Sequence, residues 1–290
     1  MRPALVALFF GATCIALSPI FVRLSEAGPT ATAFWRVAIA VPVLWILALL
    51  LKNPHEKGFS GEKLLFLGAG VAFAGDLAFW HKSIEFTSVA NSTLLANLAS
   101  IFVTLAAWLL WRQRPRPLFL VALALALGGV ALLVHTSLDF SRTALLGDAL
   151  GVVTAMFYAW YILAVKGLRD RGAATLQVMA VTSTLTAMLL FPVALASGEQ
   201  MLPSSAAGWW ILVGLALVSH AAGQGLIAYA LAHLPAQFSS VGLLLQPVVA
   251  AFFAWVLLSE PLVALQIAGG LIVLVAIWLA HSGSGLARRG

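Results

Sequence analysis

The chain has 290 residues, of which 62% are hydrophobic and only 9% charged. Soluble domains carry about 25% charge, so water is not the main solvent and a soluble enzyme or binding module is excluded. The formal net charge of +6 is spread over the ends of apolar runs rather than gathered in one patch, which excludes a nucleic-acid surface and marks the basic residues as topology determinants.

Runs of about 20 apolar residues cross a ~30 Å hydrocarbon layer as helices, and the chain holds ten of them. The first five lie near 4–23, 29–51, 63–83, 87–111 and 117–135, and the second five near 145–167, 173–196, 206–232, 236–258 and 262–281. His81, Lys82 and His233 blur the ends of the third and eighth, so nine or eleven spans are the alternatives. Met1-Arg2-Pro3 and the run behind it resemble a signal peptide, but Ala4 to Val22 outlasts a typical h-region and meets no small-x-small site. It reads as a retained first span. Cys14 sits inside that span and reads as packing, since no second cysteine or ligand cluster accompanies it.

Basic residues fix an orientation. With the N-terminus inside, that side holds Arg2, Lys52, Lys57, Lys63, Arg112, Arg114, Arg116, Lys166, Arg169, Arg171, Arg288 and Arg289, against Arg23, Lys82 and Arg142 opposite. The bias predicts a multi-pass protein of a bacterial-type inner membrane with both termini cytoplasmic.

The two halves repeat at an offset of 146. Asn91-Ser92-Thr93-Leu94-Leu95 matches Gln237-Phe238-Ser239-Ser240-Val241 in hydropathy, and Leu109-Leu110 aligns with Trp255-Val256. Arg114-Pro115 aligns with Glu260-Pro261. Five helices per half is an odd number, so the second half enters the membrane inverted, as transporters do. The predicted fold class is an all-α integral membrane protein of ten transmembrane helices in two inverted five-helix repeats, 1–138 and 139–290.

Ionisable and polar residues inside the spans are the candidates for function, because each costs free energy in lipid. Arg36 and Asp76, in the second and third helices, are a candidate structural ion pair or the two ends of a zwitterion site. Phe73, Asp76, Phe79, Trp80 and Ser83 share one face of the third helix, and Phe157, Trp160 and Tyr161 one face of the sixth. Thr13 and Ser18 lie in the first helix, which Pro19 softens. Asn97, Gln246 and the one-turn pair His220 and Gln224 lie at mid-depth in the fourth, ninth and eighth helices. The predicted substrate cavity is lined by Thr13, Asp76, Phe79, Trp80, Asn97, Trp160, Tyr161, His220, Gln224 and Gln246. Interhelical hydrogen bonding and an interfacial aromatic girdle are the structural alternatives for each.

Several stretches resemble the drug/metabolite transporter superfamily in its ten-helix form with two EamA-type repeats. They are Gln246-Pro247-Val248-Val249-Ala250-Ala251 leading to Ser259-Glu260-Pro261, Phe34-Trp35-Arg36-Val37-Ala38-Ile39-Ala40, and Leu234-Pro235-Ala236-Gln237. The first repeat departs from the pattern, with Ile101 where Pro is expected and Arg114 where Glu is expected, which argues against both halves flexing alike. Ala74-Gly75-Asp76-Leu77-Ala78-Phe79-Trp80-His81 and Phe157-Tyr158-Ala159-Trp160-Tyr161 resemble YddG-type exporters. That resemblance implies export of aromatic or other neutral amino acids by alternating access.

The chain lacks HExxH, GxSxG, P-loop and paired Asp-rich motifs and any Cys/His cluster, so no enzyme, cofactor or metal is expected. A channel or intramembrane enzyme is the rival class, and another metabolite or a lipophilic cationic drug the rival substrate. The expected partners are a small-molecule substrate and the lipid bilayer, with no nucleic acid and a monomeric state. Asp76 or His220 could carry a coupled proton.

Overall fold

The computed structural model describes residues 2–51, 62–87, 89–134, 142–259 and 262–283. Lys52 and Lys57, the divide at 138/139, Glu260-Pro261, Arg288 and Arg289 lie outside the described residues. Among the described residues the chain is helix and short turn. Nine of the predicted segments are helices long and apolar enough to span a membrane, and Pro117–Leu133 is a shorter apolar one.

In chain order, α1 comprises Arg2–Ala16 and Ser18–Leu24, α2 comprises Pro29–Ala38 and Ala40–Leu50, and α3 is Lys63–Phe86. Val89–Ala96 and Ala99–Trp111 form α4, and Pro117–Val134 forms α5. Then come α6 (Arg142–Asp170) and α7 (Thr175–Ala196). Ala206–Leu231 is α8, Ala236–Gly242 and Leu245–Leu258 form α9, and α10 is Ala264–Gly283. One end of the bundle carries the α1–α2 and α7–α8 turns, here the Glu26 end. The other carries the α4–α5, α6–α7 and α8–α9 turns, here the Arg114 end.

The helices associate in pairs. α3 packs along α6 and α1 along α8, while α2 lies against α7 and α5 against α10. Without a hydrophobic drive between helices in lipid, small residues decide how close such pairs come. A Cβ on Gly129 would meet the Gly269 carbonyl oxygen at 2.7 Å, and one on Gly11 would meet the Gly223 carbonyl oxygen at 2.8 Å. These four glycines let α5 approach α10, and α1 approach α8, backbone to backbone.

Five spans are irregular, and the causes are local. Pro19 leaves the Ile15 carbonyl without its helical donor, and α1 breaks at Leu17. Pro42 does the same to Ala38, where the first half of α2 ends. Pro247 offers no N–H to the Leu243 carbonyl, which accepts from Gln246 N at 2.9 Å instead, and α9 breaks between Gly242 and Leu245. The equivalent break in α4, between Ala96 and Ala99, has Ile101 in the proline position. There Asn97 bonds the Thr93 carbonyl through its amide at 2.8 Å, while Ser100 Oγ donates to the Asn97 carbonyl at 2.7 Å. Side-chain bonds to nearby backbone compete with the helical ladder. The departure at Ile101 therefore does not spare α4: both halves carry the break, made by proline in one and by polar side chains in the other. In α8, Leu215–Gln224 is π-helical, a form that recurs at functional sites.

The Ala99–Trp111 half of α4 packs on the Ala236–Gly242 half of α9, whereas the Val89–Ala96 and Leu245–Leu258 halves barely meet. The two broken helices thus close the Arg114 end and diverge toward the Glu26 end.

Candidate functional site

The irregular segments converge on one cavity. Its walls come from Ile15, Ser18 and Pro19 of α1, Arg36 of α2, Asp76 and Trp80 of α3, and Thr93 and Asn97 of α4. Tyr158 of α6, Gln224 of α8, and Gln246 and Ala250 of α9 complete it. Non-helical backbone at membrane depth is tolerated where it lines such a space. The cavity has a volume of about 70 Å³, against the roughly 10–15 Å³ that one water needs.

Much of the polar chemistry of its wall is unspent. Ser18 Oγ, Arg36 Nε, Tyr158 Oη, Gln224 Oε1 and Gln246 Nε2 are buried with no hydrogen-bond partner in the protein. Tyr158 Oη lies by the Gln224 and Gln246 amides, close enough to be influenced by both yet outside bonding geometry with either. A buried group left unpaired costs about 1–3 kcal/mol, and five such groups gather on this one wall. Arg36 and Asp76 are 4% and 9% exposed and feel each other's charge, but they do not close to a salt bridge. The predicted ion pair is therefore open: the two side chains line one cavity without a salt bridge between them.

Of the predicted cavity residues, Asp76, Trp80, Asn97, Gln224 and Gln246 stand together on this wall. The other five do not. Thr13 spends its hydroxyl on the Phe9 carbonyl at 2.9 Å. Phe79 stacks on Phe157 at 5.5 Å between ring centres. Trp160 is 45% exposed, and its indole covers the position where a Cβ on Gly68 would lie, 3.6 Å away. Tyr161 is buried against Phe73 at 4.5 Å, with its hydroxyl toward Met179 Sδ at 3.9 Å. His220 is fully buried and bonded through Nε2 to Ser183 Oγ at 2.7 Å. Each has a neighbour in the protein that accounts for its placement.

Sequence reasoning missed Tyr158 and ranked Ser18 and Arg36 below the cavity set. A signal for Tyr158 existed: Gly147, Gly151, Thr154 and Tyr158 fall at 4, 3 and 4 residue steps, one continuous face of α6. Gly147 and Gly151 hold that face against α3 and α4. A Cβ there would meet Thr87 N at 2.8 Å and Leu95 Cβ at 2.9 Å, and Ser83 Oγ donates to the Gly147 carbonyl at 2.7 Å.

At the Glu26 end the turns interlock. Glu26 accepts from Ser204 N at 2.8 Å, Ser205 N at 2.9 Å, Ser204 Oγ at 2.9 Å and Ser205 Oγ at 2.5 Å, which caps the start of α8. Glu199 accepts from Thr30 N at 2.7 Å, Thr30 Oγ1 at 2.8 Å and Ala31 N at 3.3 Å, capping the start of α2. The bonds from the Ser205 and Ser204 hydroxyls hold the Glu26 carboxyl below its ordinary range. Trp35 Nε1 donates to the Met201 carbonyl at 2.7 Å, so α1–α2 and α7–α8 form one tied unit at this end.

Comparison with known proteins follows the same outline. The model of the EamA-like transporter family matches residues 2–135 and again 145–281. The chain belongs to the EamA-like transporter family. It is a multi-pass membrane transporter of small metabolites. It is 28% identical over 272 residues to an uncharacterized transporter of Archaeoglobus fulgidus, covering 90% of this chain and 91% of that one. It is 26% identical over 245 residues to the pseudopaline exporter CntI of Pseudomonas aeruginosa, covering 84% and 82%. A crystal structure with 15% sequence identity superposes with a TM-score of 0.82 over 97% of this chain and 98% of its own, a likeness of fold.

Proposed function

We propose that this EamA-like protein is a secondary carrier that exports small zwitterionic metabolites, aromatic and other neutral amino acids among them. The observation that carries this reading is the open pair of Arg36 and Asp76 on one buried cavity. A guanidinium offers a planar fork to a carboxylate, and a carboxylate offers charge to an ammonium. An α-amino acid brings both. Trp80 presents apolar surface, and Tyr158, Gln224 and Gln246 supply donors and acceptors at the floor. One cation on the cavity wall suits a diphosphate poorly.

Transport direction is read from two supports. Basic residues concentrate at the Arg114 end, which supports a cytoplasmic Arg114 end and an external Glu26 end. A relative bears the name of an exporter. On this reading the five-helix halves 1–138 and 139–290 rock against each other, with the breaks of α4 and α9 at the level of the bound solute. Counterflow in proteoliposomes tests the substrate class. Preloaded neutral amino acids should drive uptake of a labelled one, and nucleotide sugars should not. Exchange of nucleotide sugars alone would overturn the reading. Repeating the assay with and without a pH gradient shows whether a proton is coupled.

A further inference from the structure

We infer that the cleft between α4 and α5 at the Arg114 end is a binding site for an anionic phospholipid. This cleft is separate from the substrate cavity. It has a volume of about 320 Å³ and is walled by Ile101, Leu105 and Trp108 on α4 and Leu120 and Leu123 on α5, with Arg114 at its mouth. Its origin is topological. α5 packs on α10 through Gly129 and Gly269, which draws it away from α4. Arg112, left-handed with φ 54°, ends α4 and turns the chain outward before Pro117 begins α5. The Gln113 carbonyl, bonded by Gln237 Nε2 at 3.2 Å, ties that turn to α9.

Two features identify the occupant. The wall is apolar and opens sideways to the bilayer, since Leu105, Trp108 and Leu120 are 42%, 47% and 46% exposed. Its one hydroxyl, on Thr104, is already spent on the Ser100 carbonyl at 2.7 Å. The fit is to an acyl chain. The rim is basic: Arg112, Arg114 and Arg116 stand exposed along the turn, and none forms a salt bridge among the described residues. The equivalent turn after α9 has the same left-handed corner, at Ser259 with φ 55°, yet continues Glu260-Pro261 in sequence. The same corner is built twice and made basic only where the anionic leaflet of a bacterial-type membrane would face it. A zwitterionic lipid would fill the cleft without using the arginines.

The test is native mass spectrometry of the full-length protein in detergent, titrated with phosphatidylglycerol or with phosphatidylcholine of the same chains. Wild type should hold one phosphatidylglycerol roughly tenfold to a hundredfold more tightly than phosphatidylcholine, the effect of two or three arginines near a lipid headgroup. Arg114→Gln should shrink that preference, and Leu105→Trp or Leu120→Trp, which fill the cleft, should remove the tightly held lipid whatever its headgroup. Equal retention of the two lipids by wild type would overturn the proposal. Unchanged phosphatidylglycerol binding in Arg114→Gln and both tryptophan variants would do the same. A dimer that Leu105→Trp dissociates would overturn it too, since a second copy would then cover the cleft.

Discussion

Arg36 and Asp76 face one cavity from α2 and α3, both buried and neither closed into a salt bridge. Uncompensated charge inside a membrane protein is expensive and marks a functional site by default. A pair held open stays available to a solute of opposite polarity at each end. Arg36→Gln and Asp76→Asn keep the shape and remove one charge each. Either change should lower amino-acid counterflow about tenfold or more, the scale of a lost charge-assisted hydrogen bond. The double variant should lose less than the product of the two. Wild-type rates in both single variants, at equal membrane abundance, would remove the pair from the site.

The two tryptophans separate. Trp80 is on the cavity wall, while Trp160 is half exposed on the rim of the α3–α6 seam. Trp80→Ala should slow transport several-fold to about thirtyfold, the effect of an aromatic contact worth roughly 0.5–2 kcal/mol. Trp160→Ala should stay within twofold of wild type. The reverse ranking in a transport assay would place the substrate on the outer face of that seam.

Glycines in α5 give a sharp contrast. A Cβ on Gly128 meets nothing within 4 Å, whereas one on Gly129 would lie 2.7 Å from a backbone oxygen of α10. Gly129→Ala should cost about 1–3 kcal/mol of stability, the range for overpacking. Gly128→Ala should be neutral or slightly stabilising, because alanine is the better helix former. Thermal melts in one detergent compare them directly, and equal melting points would refute the close crossing of α5 and α10.

The turn interlock predicts an acid limit. The folded pKa of Glu26 lies below its unfolded value of 4.5. Its contribution is therefore complete above that value and is lost as pH falls through the lowered folded one. Melting temperature followed from pH 7 to below pH 4 should fall more steeply for wild type than for Glu26→Gln. Parallel curves would show that the carboxylate contributes nothing there. Glu199→Ala, which uncaps α2, should cost about 0.5–2 kcal/mol.

The spans were legible because a run of about 20 apolar residues has few other uses. The break at Leu17 was legible through Pro19, and Pro42 and Pro247 mark those at Ile39 and Leu243 by the same missing donor. The break in α4 was not, since Asn97 and Ser100 make it by hydrogen bonds that a proline-centred pattern ignores. Helical spacing grouped Phe157 with Trp160 correctly but could not say which neighbour they meet. Phe157 packs on α3, where a Cβ on Gly75 would lie 2.4 Å from its ring, and that leaves the adjacent face, with Tyr158, to the cavity. His220 was ambiguous for a like reason: its partner Ser183 is 37 residues away on α7, and no local pattern reports that contact.

On the proposed function, this cavity reads an amine and a carboxylate on the same small molecule. The most direct measurement is counterflow in proteoliposomes with phenylalanine, phenethylamine and hydrocinnamate, which share a ring and differ only in their charged ends. Phenylalanine should exchange, with both truncated compounds at least about tenfold poorer, the cost of leaving Arg36 or Asp76 unpaired. Phenethylamine exchanged as well as phenylalanine, or all three exchanged alike, would contradict it.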